Sequence, residues 1–373
     1  MRHSTKQILA IILFVALFLF VATWYYRSIL ILLVVTVFLR KSIRQWLSEH
    51  VNNRYAYHSI VLALVLVIGL LMPKPYNFGR VKLYYQDEQG VRTSAPMLQV
   101  VCNAIFPEEE IMNIGIHGAV IGGYLMELIP KMKLNNRFVK MAQHDFLHGR
   151  IYNFYAPANA LERNLNTPMS GVYAQAFTQL GIQKSHSVYV IRPKHYDSSK
   201  SYPLVVFCHG FLGNWQLYSG IWRDLDNCIV LSIGTDNLSG IFRDKDIKGI
   251  FTKQIPFLES LGYKIDSSQM HLIGLSNGYS ACCVAYNGYG NKFRSITAIS
   301  TGSFYTGAGK RTCQINLLGG DDCCGFPVTA KRYQELGMDV ACYCEPTDNH
   351  FFAVNHRKQM INFLNERLKC TVK

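Results

Sequence analysis

The sequence predicts an α/β domain, a mainly parallel sheet flanked by helices, preceded by apolar transmembrane helices. Three observations point there. From His186 onward, short β-branched apolar runs alternate with helical stretches. One of those runs ends in a serine set between two glycines. The first 75 residues are dominated by three uncharged apolar runs, at 8–26, 28–39 and 59–72.

The apolar runs come first. A bilayer core takes about 20 apolar residues at 1.5 Å rise each. Joined, the first two runs would form a helix near 48 Å, too long for one ordinary span. Two spans turning near Arg27 fit better, and flanking Trp, Tyr and Arg can extend short runs at the interfaces. A cleaved signal peptide would need small residues after its apolar core, and Trp24-Tyr25-Tyr26-Arg27 is not such a site. Residues 1–75 are therefore read as a membrane anchor of two or three spans.

Charge agrees with that reading. The chain of 373 residues carries a net charge of +14. Residues 1–74 hold eight Lys/Arg against Glu49 alone, and the rest of the excess is scattered. A nucleic-acid binder would show a basic stripe on a folded face, and none is visible. Basic residues flanking apolar runs instead set membrane orientation. Arg2 and Lys6, then Arg40, Lys41, Arg44 and Arg54, prefer the cytoplasm, so three spans would place the C-terminal domain on the other side. Membrane lipids are expected partners and nucleic acid is not.

Residues 76–185 are the least legible stretch, expected to supply a lid or membrane-proximal helices. Pro107 followed by three glutamates reads as a helix start. The run 111–130, with Gly115, Gly118, Gly122 and Gly123, reads as a buried or amphipathic helix. Its alternative is a fourth span with small-residue packing, which would reverse the orientation. His144 and His148 would share a helix face, but no third ligand stands nearby and no Glu lies between them, so no metal is expected.

From residue 186 to the end the pattern is regular. Apolar runs fall at 188–192, 204–208, 228–233, 270–275, 295–299, 314–318 and 339–344. Near-continuous apolar strands of this length are buried on both faces. Helices fit between them at 215–226, 245–261, 276–287, 327–337 and 351–369. That alternation gives a parallel sheet sandwiched by helices.

The motif Gly274-Leu275-Ser276-Asn277-Gly278 sits between the strand MHLIGL and a helical stretch, the context of a nucleophile elbow. A serine hydroxyl needs a neighbouring base, and for such an elbow the partners follow in the order acid, then histidine. The strand 314–318 ends in Gly319-Gly320-Asp321-Asp322, and the last strand leads to His350. Both loops lie at the carboxyl edge of the sheet, where active sites of open α/β sheets form. His350 would take the proton from Ser276 and return it to the leaving group. Asp322 is preferred as the orienting acid, with Asp321 the alternative. The oxyanion donors would be the backbone N–H groups of Asn277 and of Phe211, in the loop Cys208-His209-Gly210-Phe211.

At these residues the segment resembles the α/β-hydrolase superfamily. The stretch SVYVIRPKHYDSSKSYPLVVFCHG is similar to esterases related to polyhydroxyalkanoate depolymerases and feruloyl esterases. The resemblance covers residues 185–370. It implies the fold, the triad Ser276–Asp322–His350 and the donors Phe211 and Asn277. No cofactor is expected. The expected substrate is a small-molecule or lipid or glycan acyl ester, the lipids and glycans suggested by the membrane anchor. A peptidase, an acyltransferase or a non-catalytic binding protein on the same scaffold are the competing readings. Two departures stand out. The gap between strands 295–299 and 314–318 is too short for a large cap, and the acid loop continues into Cys323-Cys324-Gly325. Of the eleven cysteines, Cys282 and Cys283 are expected in the core. One of Cys323 or Cys324, paired with Cys342 or Cys344, would hold the acid loop.

Overall fold

A computed structural model of the chain describes residues 24–51, 55–71, 83–87, 90–94, 150–156, 186–211, 218–237, 239–301, 313–320, 323–348 and 350–373, with a few isolated positions between and before them. The chain forms two compact units: Met1–Asn77 with Val101–Leu125, and Phe78–Val100 with Met126–Lys373.

In the first unit, α1 (Trp24–Phe38), α2 (Arg40–His50) and α3 (Ala56–Leu71) pack around Leu47, Ala56 and Tyr57. The Tyr57 hydroxyl donates to the Thr36 carbonyl at 2.9 Å and ties α3 to α1. The Arg44 guanidinium lies over the Tyr57 ring and donates to His58 Nε2 at 3.2 Å. The anchor of two or three spans expected from the sequence finds no support here. Among the described residues no helix is long and apolar enough to cross a membrane. The chain turns at Leu39 (φ −85°, ψ 2°), which ends α1 and starts the polar α2. The run 8–26 and the stretch 111–130 lie largely or wholly outside the described residues.

The second unit is built on one ten-stranded sheet, ordered β10-β9-β8-β7-β5-β6-β4-β3-β1-β2. Strands β5 (Tyr202–Cys208), β6 (Ile229–Ile233), β7 (Ile265–Leu275), β8 (Ser295–Ile299), β9 (Gln314–Gly319) and β10 (Val340–Cys344) run parallel. Strand β4 (His186–Ile191) is antiparallel to both of its neighbours, β6 and β3 (Ile151–Ala156). The hairpin β1 (Leu83–Asp87) and β2 (Gly90–Ser94) extends that edge, β1 lying parallel to β3. Residues 76–185, whose role the sequence left open, thus contribute three strands.

The central strands are apolar because both faces are covered. Every residue of β5, β6 and β8 is buried, as expected when helices pack on each side of a parallel sheet. Phe207 packs on Trp222 with ring centroids 4.9 Å apart. Burying a side chain of that size stabilises the fold by about 2 kcal/mol. The connecting helices are α4 (Asp244–Gly249), which runs through a wider turn, Ile250–Gln254, into α5 (Ile255–Ser260), then α6 (Tyr279–Tyr289) and α7 (Phe326–Glu335). After β10 come α8 (Phe352–Asn355) and α9 (Arg357–Leu368). Strand order, the reversal of β4 within the parallel set and crossover helices are those of the α/β-hydrolase fold.

The two glycines of the elbow are demanded by close approach. A Cβ on Gly274 would strike the Gly278 carbonyl and lie 2.7 Å from Cys282 Sγ. A Cβ on Gly278 would strike the Cys208 carbonyl and lie 2.8 Å from that of His209. Backbone carbonyls cannot swing aside as a flexible side chain can. Gly278→Ala is therefore expected to destabilise the domain by about 1–3 kcal/mol, read as a lower denaturation midpoint. A variant as stable as the parent would show that the gap can open.

Candidate active site

Ser276 is the first residue after β7, at the carboxyl edge of the sheet, and opens the turn Ser276–Gly278 that leads into α6. Its φ is 54°, in the left-handed region. For a residue with a Cβ this conformation costs about 1–2 kcal/mol, and such strain gathers at functional sites. The reversal lifts the side chain out of the sheet. Glycine approach allows that sharp turn to sit against the end of β5.

His350 follows β10 on a neighbouring loop, and its Nε2 lies 2.9 Å from Ser276 Oγ. With the ring proton on Nδ1, Nε2 accepts the hydroxyl hydrogen, the arrangement of a serine with its general base. Ser276 is half-buried and His350 exposed, so a substrate can reach the pair from solvent. Asp321 and Asp322 lie outside the described residues. Their neighbours fix where the acid loop starts and ends. Cys323 N–H donates to the Gly320 carbonyl at 3.0 Å, and Glu345 N–H donates to the Gly319 carbonyl at 3.0 Å. The acid loop therefore leaves the sheet beside the loop that carries His350.

A disulfide between Cys323 and Cys344 joins these two loops, with Cα atoms 5.8 Å apart. It is one of the pairings the sequence left open. Closing a loop of 21 residues' separation restricts the unfolded chain by an amount worth about 3 kcal/mol in the chain-entropy account. Cys282 is buried in the core as expected, and Cys283 is half-buried.

The loop after β5 passes over Ser276. A Cβ on Gly210 would be 2.8 Å from Ser276 Cβ and 3.3 Å from its Oγ, so only glycine fits there. Phe211 is next in the chain, with a side chain 53% exposed. Asn277 is also exposed, and its Nδ2 donates to the Ser239 carbonyl at 2.7 Å.

Several supporting residues were not evident from the sequence. Gly240, at φ 70°, backs the 210–211 peptide, and a Cβ there would strike the Gly210 carbonyl. Ser280 Oγ accepts from Phe242 N–H and donates to the Asn277 carbonyl, both at 2.8 Å. Together they couple the loop 239–242 to the elbow. His209 is fully buried, with Nδ1 2.8 Å from the Gly210 carbonyl and its ring edge-on to Phe242. Burial pushes its pKa down to about 4. The one available signal was its position two residues before Phe211. Among the described residues no group of His, Cys, Asp and Glu could hold a metal ion. His144 lies beside Asp145, and His148 is outside the described residues.

No family model and no curated protein sequence matches the chain. Solved structures do. An esterase from Pyrobaculum calidifontis is 14% identical, over 64% of this chain and 90% of that one, with a TM-score of 0.43. A thermostable esterase is 20% identical, with a TM-score of 0.37 over 49% of this chain. Only 59% of that esterase's own length is spanned. An S-formylglutathione hydrolase from Agrobacterium tumefaciens is 16% identical over 49% of this chain and 90% of that one, with a TM-score of 0.35. At such values the likenesses add nothing to what the site's own geometry carries.

The buried His209 sets a pH dependence. Its folded pKa lies below its ordinary value, so the unfolded chain takes up a proton that the folded domain refuses. Stability is then intact above about pH 6.5 and falls as pH drops towards 4, by up to roughly 3 kcal/mol. The His209 ring resonances in NMR are expected not to move between pH 8 and 5. A titration centred near 6.5 would contradict the burial.

Proposed function

We propose that this chain is a serine hydrolase that cleaves carboxylic esters through an acyl-enzyme. The observation that carries it is the 2.9 Å approach of His350 Nε2 to Ser276 Oγ on a left-handed elbow. Ser276 attacks the ester carbonyl while His350 takes its proton. The imidazolium then protonates the departing alcohol, and water, activated by the same ring, releases the acid. Asp322, with Asp321 as the alternative, accepts from His350 Nδ1–H and stabilises the imidazolium. The N–H groups of Phe211 and Asn277 hold the oxyanion, a role supported by the seat of Gly210 against Ser276.

Phe211 is exposed and follows Gly210, which sits against Ser276, and this favours an apolar acyl or aryl group on the substrate. Chemistry of this kind needs no cofactor. Peptide bonds use the same machinery, and fold alone does not separate them.

Membrane association belongs to the first unit in this reading. Its helices present Ile31, Leu33, Val35, Val37 and Leu62, Leu66 to their surroundings, while α2 supplies Arg40, Lys41 and Arg44. Apolar area next to basic residues suits a lipid interface, and would bring the active site to acyl lipids or acylated envelope molecules.

A fluorophosphonate probe is expected to label the wild type and not Ser276→Ala. His350→Ala should cut turnover of a p-nitrophenyl butyrate ester by at least about 10²-fold. Equal labelling of wild type and Ser276→Ala would dismiss the nucleophile. Of Asp321→Asn and Asp322→Asn, the one that keeps the full rate is not the triad acid. Separately, the full chain should float with anionic phosphatidylglycerol vesicles. Recovery only at the bottom of the gradient would remove the lipid interface.

A further inference from the structure

His350 is the exposed member of the pair at the carboxyl edge, and its 2.9 Å approach to Ser276 Oγ is not secured by burial. The chain leaves β10 at Cys344, enters α8 at Phe352, and carries His350 between them. A catalytic group misplaced by about 1 Å can lose roughly 10²-fold in rate. The loop must therefore be held by contacts of its own. A carboxylate that the proposed hydrolysis does not use supplies them.

Both ends of the loop are anchored. At its start, Glu345 N–H donates to the Gly319 carbonyl at 3.0 Å, and the Glu345 carboxylate accepts from the Tyr343 hydroxyl at 2.6 Å. Asp348 N–H then closes a turn on the Glu345 carbonyl at 2.9 Å. At its end, Phe352, Ala353 and Val354 are buried. The N–H groups of Val354 and Asn355 donate to the Phe351 carbonyl at 2.8 and 3.0 Å. The Phe352 ring lies 5.8 Å from the Tyr343 ring and 5.8 Å from the His356 ring, centroid to centroid. Beyond them, Arg357 donates to the Ile221 carbonyl at 2.9 Å and pairs with Asp224 at 2.7 Å, which pins the start of α9.

Asp348 stands between these anchors, two residues before His350, with its side chain only 8% exposed. Its Oδ1 accepts from Asn355 Nδ2 at 2.7 Å, across a separation of seven residues. Its Oδ2 lies 3.4 Å from His356 Nε2, an ion pair whenever that ring is protonated. A carboxylate this covered costs the fold unless it is paired, so the loop is drawn to the end of α8. The bridge closes the chain around His350 and fixes the backbone on the side that α8 itself does not reach. This task differs from that of Asp321 or Asp322, one of which orients the imidazole in the proposed chemistry.

We propose that Asp348 is a positioning residue for His350. Through Asn355 and His356 it fixes the loop so that Nε2 meets the Ser276 hydroxyl before a substrate arrives. The effect on turnover rests on the hydrolase reading, whereas the placement of the ring is a property of the loop.

The test uses the full chain and two readouts. Nitrogen-15 NMR of the histidine rings follows His350 Nε2, and Ser276→Ala supplies the shift of the broken contact. Turnover of p-nitrophenyl butyrate gives the consequence. Asp348→Ala is expected to move the Nε2 resonance towards its Ser276→Ala position and to cut kcat at least about tenfold, with KM held within about twofold. Asp348→Asn keeps an oxygen that can accept from Asn355 and should leave both readouts near wild type, which a triad acid would not tolerate. Asn355→Ala should reproduce Asp348→Ala, and the double variant should lose no more than either alone, as two groups acting through one contact do. Asn355→Ala also carries the test should Asp348→Ala not fold. An unchanged resonance and kcat in Asp348→Ala, or in Asn355→Ala, would overturn the proposal. So would Asp348→Asn as inactive as Asp348→Ala. A wild type that hydrolyses no ester while its His350 resonance still responds to Asp348→Ala would sink the hydrolase reading and leave the positioning role standing.

Discussion

The domain depends on how closely the elbow after β7 can approach the end of β5. Ser276 can hold its left-handed backbone only because Gly278 lets the turn rest on the Cys208 and His209 carbonyls, and Gly274 lets α6 close on the strand. Gly210 completes the contact from the other side, where any side chain would strike Ser276. The same three backbone contacts that stabilise the centre of the sheet thereby aim the hydroxyl at His350. The strain at Ser276 is thus held in place by the whole β5–β7 pairing.

Around that contact the structure adds layers that keep the loops still. Gly240 backs the 210–211 peptide, Ser280 links the elbow to Phe242, and His209 stays neutral beneath them. On the other flank, the Cys323–Cys344 bond ties the loop that carries the candidate acids to the strand that leads to His350. Each element removes freedom from a loop at the carboxyl edge. In the proposed hydrolysis, donors and a base held in this way would need no rearrangement as charge develops.

Much of this was legible in the chain. The β-branched runs from 188 onward became strands close to their expected bounds, because strands buried on both faces must be apolar throughout. That Ser276 and His350 would meet could be read from the chain, because an elbow serine and a histidine after the last strand are local signals with fixed places in the topology. Strands β1, β2 and β3 were missed. They lie at one end of the sheet and carry Asn153, Gln86 and Arg92 among apolar neighbours, so no clean run announces them. Gly240 and His209 were invisible for another reason: their value lies in contacts with residues distant in sequence. The membrane spans find no support among the described residues, and the apolar run 8–26 lies largely outside them.

The two edges of the sheet differ in what can reach them. Parallel strands collect their carboxyl ends on one side and their amino ends on the other, so each edge gathers side chains from many distant segments. A histidine meets a serine hydroxyl at both. At the carboxyl edge His350 Nε2 lies 2.9 Å from Ser276 Oγ. At the amino edge His271 Nδ1 lies 2.7 Å from Ser295 Oγ. His350 is exposed, whereas His271 and Ser295 are fully buried between covered strands. A serine hydroxyl surrenders its proton only during reaction and needs a base to receive it. The same two side chains can therefore do chemistry only where a substrate has access, and at the other edge their hydrogen bond serves to join two strands.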